Sequence, residues 1–167
     1  MSSDPKHEQW LLIEEAQKLF TQNYRQQPLV LRRGAGCRVW DVAGKRYLDL
    51  TGGIAATPLG HAHLALAATI TEQAMKLLHV SNLYWNEQQI LCARAIARRA
   101  HAMGSVRVFF CNSGAEANEA AVKLAKRYQT TFRGQPERVE VISFEGSFHG
   151  RTVATVALTG QEKYRSG

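Results

Sequence analysis

The stretch Val106–Leu124, VRVFFCNSGAEANEAAVKL, limits the possible folds of this chain more than any other. Val106 to Cys111 is a short apolar run with β-branched and aromatic residues, the pattern of an interior strand. Asn112, Ser113 and Gly114 supply turn chemistry. Ser113 stands where it caps a helix, and Glu116 follows at capping-box spacing. Gly114 lets a ligand approach the backbone closely. From Ala115 to Arg127 good helix formers dominate, with Ala117, Ala120, Ala121, Leu124 and Ala125 along one side. Such a strand–turn–helix unit turns unpaired N–H groups and the positive end of the helix dipole outward, which suits an anion. On physics alone two readings carry equal weight: a phosphate cradle, or a strand simply capped into a helix.

The next elements place this unit in an α/β fold. Gln129–Glu137 is a polar loop with Gly134 and Pro136, and RVEVISF, residues 138–144, reads as a second strand. A strand–helix–strand run predicts that Val106–Cys111 and Val139–Phe144 lie parallel, joined by a right-handed crossover. Ligands in such sheets collect beyond the carboxyl ends of the strands. The loops Asn112–Gly114 and Glu145–Gly150 both fall there.

Upstream, Asp4 and Pro5 read as N-cap and first helical residue, and Leu12, Ile13, Ala16, Leu19 and Phe20 keep helical spacing to about residue 24. Pro28 ends that pattern. Leu29–Leu31 reads as a short strand. Cys37–Trp40 and Arg46–Asp49 form a hairpin, with Gly44 at a position that calls for positive φ. Residues 51–60, TGGIAATPLG, make a loop without bulk. It is either a place where a ligand meets the backbone or a plain connection. Leu64–Leu78 reads as a helix, as does a second segment capped by Asn86 and running to about Ala102. Tyr84 and Trp85 suit a pocket, a subunit interface or a core, with core packing the default. His61 and His63 have no third ligand nearby and sit at a helix start, so a structural role is expected and no metal site.

The net charge of +7 raises the question of nucleic acid. The basic residues are scattered over Arg32, Arg33, Arg98, Arg99, Lys123, Lys126 and Arg127, without interleaved aromatics, so they read as solvated faces. Three cysteines, Cys37, Cys92 and Cys111, make no CxxC. Cys111, ending an apolar strand, is expected to be buried. That pattern fits a reducing, cytoplasmic setting. No run is long enough for a membrane span, and no signal-peptide core is visible.

Three stretches carry a family resemblance. CNSGAEANEAAVKLAKRY resembles the glycine-turn motif of class III (ornithine/acetylornithine-type) aminotransferases, which use pyridoxal 5'-phosphate, PLP. SFEGSFHGRTVATVALTGQEKY is similar to that family's next active-site segment. VWDVAGKRYLDLTGGIAATPLGHAHLAL resembles its entry hairpin and glycine-rich loop. The resemblance implies the type I fold of PLP-dependent transferases, present in part. Residues 1–60 would form an N-terminal segment of the small domain, and residues 61–167 the first part of the large PLP-binding domain.

The resemblance also implies roles. Ser113, Gly114 and Ala115 would donate to the PLP phosphate. Phe148 would stack on the pyridine ring. Arg151 would hold the substrate's α-carboxylate. His149 is expected to be a structural hydrogen-bonding residue, and Glu119 to face solvent. The loop at 51–60 would lie near the substrate's tail, and Ile54, where ornithine enzymes tend to carry an aromatic, favours an acetylornithine-type pocket. The implied reaction moves an amino group from N-acetylornithine to 2-oxoglutarate by a ping-pong course in a homodimer. Ornithine, succinylornithine or 4-aminobutyrate are the alternative donors. None of Lys6, Lys18, Lys45, Lys76, Lys123, Lys126 and Lys163 lies in the family's Schiff-base lysine motif. Family members are well over twice as long, so the lysine and the pyridinium-binding aspartate are expected beyond residue 167. The chain alone is therefore expected to be inactive, and unstable or associating. An inert truncated product is the rival reading.

Overall fold

The computed structural model describes residues 4–165. The chain divides into two units, Met1–Tyr84 and Trp85–Gly167. Among the described residues no helix is long and apolar enough to cross a membrane.

The first unit opens with α1 (Pro5–Leu19). Asp4 Oδ1 accepts from the Lys6 N–H at 3.1 Å, and Pro5 occupies the first turn. Expected to reach residue 24, the helix stops at Leu19. The reason is local: the Gln22 amide donates to the carbonyls of Gln17 and Phe20, so a side chain satisfies groups that another helical turn would otherwise serve. Glu8 pairs with Arg32, and the Gln9 side-chain oxygen accepts from Val30 N–H, which fixes α1 against the sheet.

That sheet has three antiparallel strands in the order β1 (Leu31–Ala35), β2 (Arg38–Asp41), β3 (Arg46–Leu48). The β2–β3 hairpin turns as expected, with Gly44 at φ +83°. Asp41 pins it, accepting from Lys45 N–H and the Tyr47 hydroxyl, each at 2.8 Å. Its carboxylate is buried but fully engaged. The first strand lies later than the expected Leu29–Leu31, because its partner is β2 and Gly36, at φ +54°, turns the chain between them. Among the described apolar side chains only Val39 and Val42, both here, are buried.

The loop after β3 is not featureless. In the single turn α2 (Gly52–Ala55) all four residues have positive φ, between 53° and 62°. His61 and His63 take structural positions. His63 Nδ1 accepts from Leu66 N–H at 3.3 Å and caps α3 (Leu64–Lys76). His61 Nε2 lies 2.7 Å from Asp49 Oδ2. That bond, followed by the N–H groups of Gly52 and Thr51, lowers the Asp49 pKa from the usual 3.8 to about 2. A lowered carboxyl pKa stabilises the folded form fully above the unfolded value, and the benefit disappears as pH falls through the folded one. Acid titration of the full-length protein should therefore leave the Gly52 amide protected from exchange at pH 4 and release it between pH 4 and about 2. Release already complete at pH 4 would contradict this.

Near the start of the second unit, Asn86 Oδ1 accepts from Gln88 and Gln89 N–H and caps α4 (Glu87–Arg99). A short 3-10 turn, His101–Met103, and Gly104 at φ +89° close that helix. The central helix α5 (Gly114–Thr131) starts where expected and runs four residues past Arg127. A further helix, α6 (Val153–Leu158), was not expected.

The parallel pair is not formed. Neither 106–111 nor 139–144 is a strand, and the sheet among the described residues is the antiparallel one alone. A strand exists only through a neighbour's ladder, and these two segments do not pair with one another. Residues 106–110 still show the alternation of a half-covered strand: Val106, Val108 and Phe110 are half-buried, Arg107 and Phe109 exposed. For the same reason Cys111, expected inside, is exposed. Tyr84 and Trp85, expected in a core, are exposed as well.

Candidate functional site

The candidate residues all lie in the second unit, on the N-terminus of α5 and on the turn that precedes α6. Ser113 is the N-cap of α5: its Oγ accepts from Glu116 N–H at 3.2 Å. Glu116 in turn accepts from the Asn112 backbone N–H, one residue before the reciprocal capping-box position. Among the described residues no acceptor lies against the N–H groups of Gly114 and Ala115. A Cβ added at Gly114 would meet nothing within 4 Å, so the space before the helix is open.

The second segment is tied to this helix through its backbone. Gly150, buried and at φ +131°, lies so close that a Cβ there would stand 2.7 Å from Ala115 Cβ and 2.8 Å from Thr155 Oγ1. Asn118 Nδ2 donates to the His149 carbonyl at 2.7 Å. The Thr152 hydroxyl donates to Glu119. Glu119 was expected to face solvent; its partner is 33 residues away in sequence and no local pattern announces it.

A threonine ladder supports the turn from behind. Thr155 and Thr159 are fully buried. Thr155 Oγ1 accepts from Thr152 N–H at 2.9 Å, and the Thr159 hydroxyl donates to the Thr155 carbonyl at 2.8 Å while accepting from His149 N–H at 3.1 Å. His149 Nδ1 donates to the Leu158 carbonyl at 3.1 Å, the structural role expected of it. Gly160 closes the loop: its carbonyl accepts from Gly146 N–H and its own N–H donates to the Ser147 carbonyl.

Phe148 and Arg151 share one neighbour, Tyr164. Phe148 meets its ring edge-on at 5.6 Å between centroids, and the Arg151 guanidinium lies 5.1 Å from its centroid. Lys163 and then Arg151 lower the Tyr164 phenol pKa. Tyr164 is not among the expected site residues; its signal in the sequence is its place at the end of SFEGSFHGRTVATVALTGQEKY. An open cavity of about 730 Å³ is lined by Phe144, Glu145, Glu162 and Arg165 among others and by none of Ser113, Phe148 and Arg151. Its two carboxylates outnumber its one guanidinium, whereas the α5 N-terminus offers N–H donors.

Residues 19–167 match the model of the class-III aminotransferases. The chain belongs to that family. As a class-III aminotransferase chain it is 52% identical over 156 residues to the acetylornithine aminotransferase of Myxococcus xanthus, covering 93% of this chain and 38% of that protein. It is 49% identical over 145 residues to the succinylornithine transaminase/acetylornithine aminotransferase of Pseudomonas aeruginosa, covering 87% and 35%. Among solved structures, the ornithine aminotransferase of Toxoplasma gondii crystallized with oxidized glutathione superposes with a TM-score of 0.80 at 25% identity, covering 93% and 36% of the two chains. That structure has PLP at partial occupancy in its active site. The chain thus spans about a third of the length of the curated relatives it matches.

Proposed function

We propose that this chain is the part of an acetylornithine-type aminotransferase that receives the PLP phosphate, covers the pyridine ring and holds the substrate carboxylate. The observation that carries the reading is the close approach of Gly150 to Ala115, which seats the Phe148–Arg151 turn on the helix end that offers its N–H groups. The phosphate fits that end. Gly114 leaves the space open, the Gly114 and Ala115 N–H groups meet no acceptor among the described residues, and the Ser113 hydroxyl accepts from Glu116 while retaining its own proton to give. Phe148 supplies an aromatic face to the ring, and Arg151 a two-pronged partner for a carboxylate. Bound PLP would supply an electron sink that eases proton loss from the carbon bearing the amino group. The remaining chemistry needs a lysine and an acid outside these residues.

On this reading the whole protein transfers the amino group of N-acetylornithine to 2-oxoglutarate, as a cytoplasmic homodimer of type I fold. The unpaired segments 106–111 and 139–144 then belong to its larger parallel sheet. The relatives' names support this donor, with N-succinylornithine as the nearest competitor. Two measurements test it. Amino-donor profiling of the full-length protein should rank N-acetylornithine first; a clear preference for ornithine or 4-aminobutyrate would overturn the assignment. Ser113→Ala should weaken PLP retention by about tenfold or more, the scale of one hydrogen bond to a charged group. Unchanged retention, read by cofactor absorbance after dialysis, would remove Ser113 from the phosphate site.

A further inference from the structure

The turn Gly52–Ala55 costs backbone energy. Glycine takes positive φ freely, but Ile54 at 59° and Ala55 at 61° do not. The turn is nevertheless closed by regular bonds: Ala55 N–H donates to the Thr51 carbonyl and Thr57 N–H to the Gly52 carbonyl, both at 3.0 Å. Strain of this kind persists only where the surroundings overdetermine it. Among the described residues little covers the turn from outside: Ile54 is 90% exposed, and Gly53 and Ala55 are exposed too. The constraint must come from its base.

The base is Asp49. One oxygen, Oδ1, accepts from Thr51 N–H at 3.1 Å and Gly52 N–H at 2.9 Å, fixing the two residues that enter the turn. The other, Oδ2, is held by His61 Nε2 at 2.7 Å. His61 is itself immobilised. Its N–H and carbonyl both bond Gly36 at 2.9 Å, and its ring occupies the space above Gly34, where a Cβ would come within 2.5 Å of the ring. Asp49 N–H donates to the Cys37 carbonyl at 2.9 Å. Gly60, at the turn's exit, packs so tightly on Gly36 that a Cβ would stand 2.9 Å from its carbonyl oxygen. Both ends of the loop are thus tied to the β1–β2 hairpin.

We propose that Asp49 and His61 are positioning residues that together hold the Gly52–Ala55 turn in its left-handed form. The pair transfers the rigidity of the hairpin to a loop that would otherwise relax, and so keeps the exposed Ile54 in one place. Its consequence for substrate choice rests on the reading of this loop as lining the substrate's tail; the clamp itself does not.

The test is hydrogen exchange of the full-length protein, resolved to Thr51–Thr57. Asp49→Ala should speed exchange of the Gly52, Ala55 and Thr57 amides by about tenfold or more, the population change expected when one or two strained residues are released. The β2–β3 ladder should keep its protection. His61→Phe, which keeps a ring above Gly34 but removes the bond, should give a smaller acceleration in the same direction. It also decides the matter should Asp49→Ala fail to fold. Replacing Ile54 and Ala55 together by glycine removes the strain, so in that background Asp49→Ala should accelerate exchange distinctly less. A purely structural Asp49 would show the same acceleration with or without the glycines, and that result overturns the proposal. So does unchanged protection of Ala55 and Thr57 in His61→Phe. Donor profiling of the full-length protein is unaffected by either result, so the clamp and the proposed activity fail separately.

Discussion

Gly150→Ala should cost about 2–4 kcal/mol of local stability and detach the Phe148–Arg151 turn from α5. Two effects add. The backbone there has φ +131°, a region that L side chains rarely adopt, and the new methyl would sit 2.7 Å from Ala115 Cβ. Neither neighbour can yield cheaply, since Ala115 Cα is also within 3.1 Å and Thr155 is fully buried. The readout is exchange of the His149 amide, which donates to Thr159, together with retention of PLP by the full-length protein. Gly146→Ala separates the two causes. It has a positive φ of 75° but open space where the methyl would go, so it should cost only the backbone share, about 1–2 kcal/mol. Equal losses for the two variants would show that the contact with α5 contributes nothing. Adding Ala115→Gly to Gly150→Ala should recover part of the loss, because it removes the nearer of the two clashing atoms.

Local chemistry is what the sequence displayed well. Asp4, Asn86 and Ser113 announce the starts of α1, α4 and α5 because a capping side chain bonds within three residues of itself. Gly44 announces the hairpin for a similar reason. What depends on distant partners was not visible. The ladder for 106–111 and 139–144 requires neighbours that sequence pattern alone cannot name. The Thr152–Glu119 and Asn118–His149 bonds span more than thirty residues. α6 was hidden by its own composition, since Val153, Thr155 and Val156 are β-branched, a class that does not advertise a helix. The left-handed turn was hidden because Ile54 and Ala55 are the wrong residues to advertise it; Asp49 and His61, which explain it, lie on either side and read as strand end and helix start. In the candidate site the two segments could be named from motifs, but their mutual contact rests on Gly150, one of several glycines whose special requirement appears only when Ala115 is seen beside it.

The chain on its own should associate and unfold without a sharp transition. A domain of this size ordinarily buries a continuous apolar core, yet here Val39 and Val42 are the only buried apolar side chains among the described residues. Ile142 is 91% exposed, Phe144 82% and Phe109 70%, all on segments with unpaired backbone. Unpaired, apolar, strand-like segments are templates for pairing with another chain. Opposing this is the net charge of +7, which keeps copies apart at low salt. The balance gives a signed prediction. At low ionic strength repulsion acts over tens of ångströms, but near 0.15 M the screening length falls to about 8 Å and the apolar segments can meet. Sedimentation should therefore show a mass well above 18.6 kDa at moderate salt, increasing further as salt is raised, with strong binding of a hydrophobic dye. Urea unfolding should be broad, with a slope well below the usual 1–3 kcal/mol/M, because little surface is buried to begin with. A monodisperse 18.6 kDa species with a steep, reversible transition would mean that these segments are satisfied within the chain itself. Ile142→Lys with Phe144→Glu, aimed at the 139–144 segment, should shift the chain toward monomer while leaving the caps of α4 and α5 intact. If association survives that pair of substitutions, it runs through another face, and the apolar side of α3, with Leu66 and Ile70 exposed, is the next to alter.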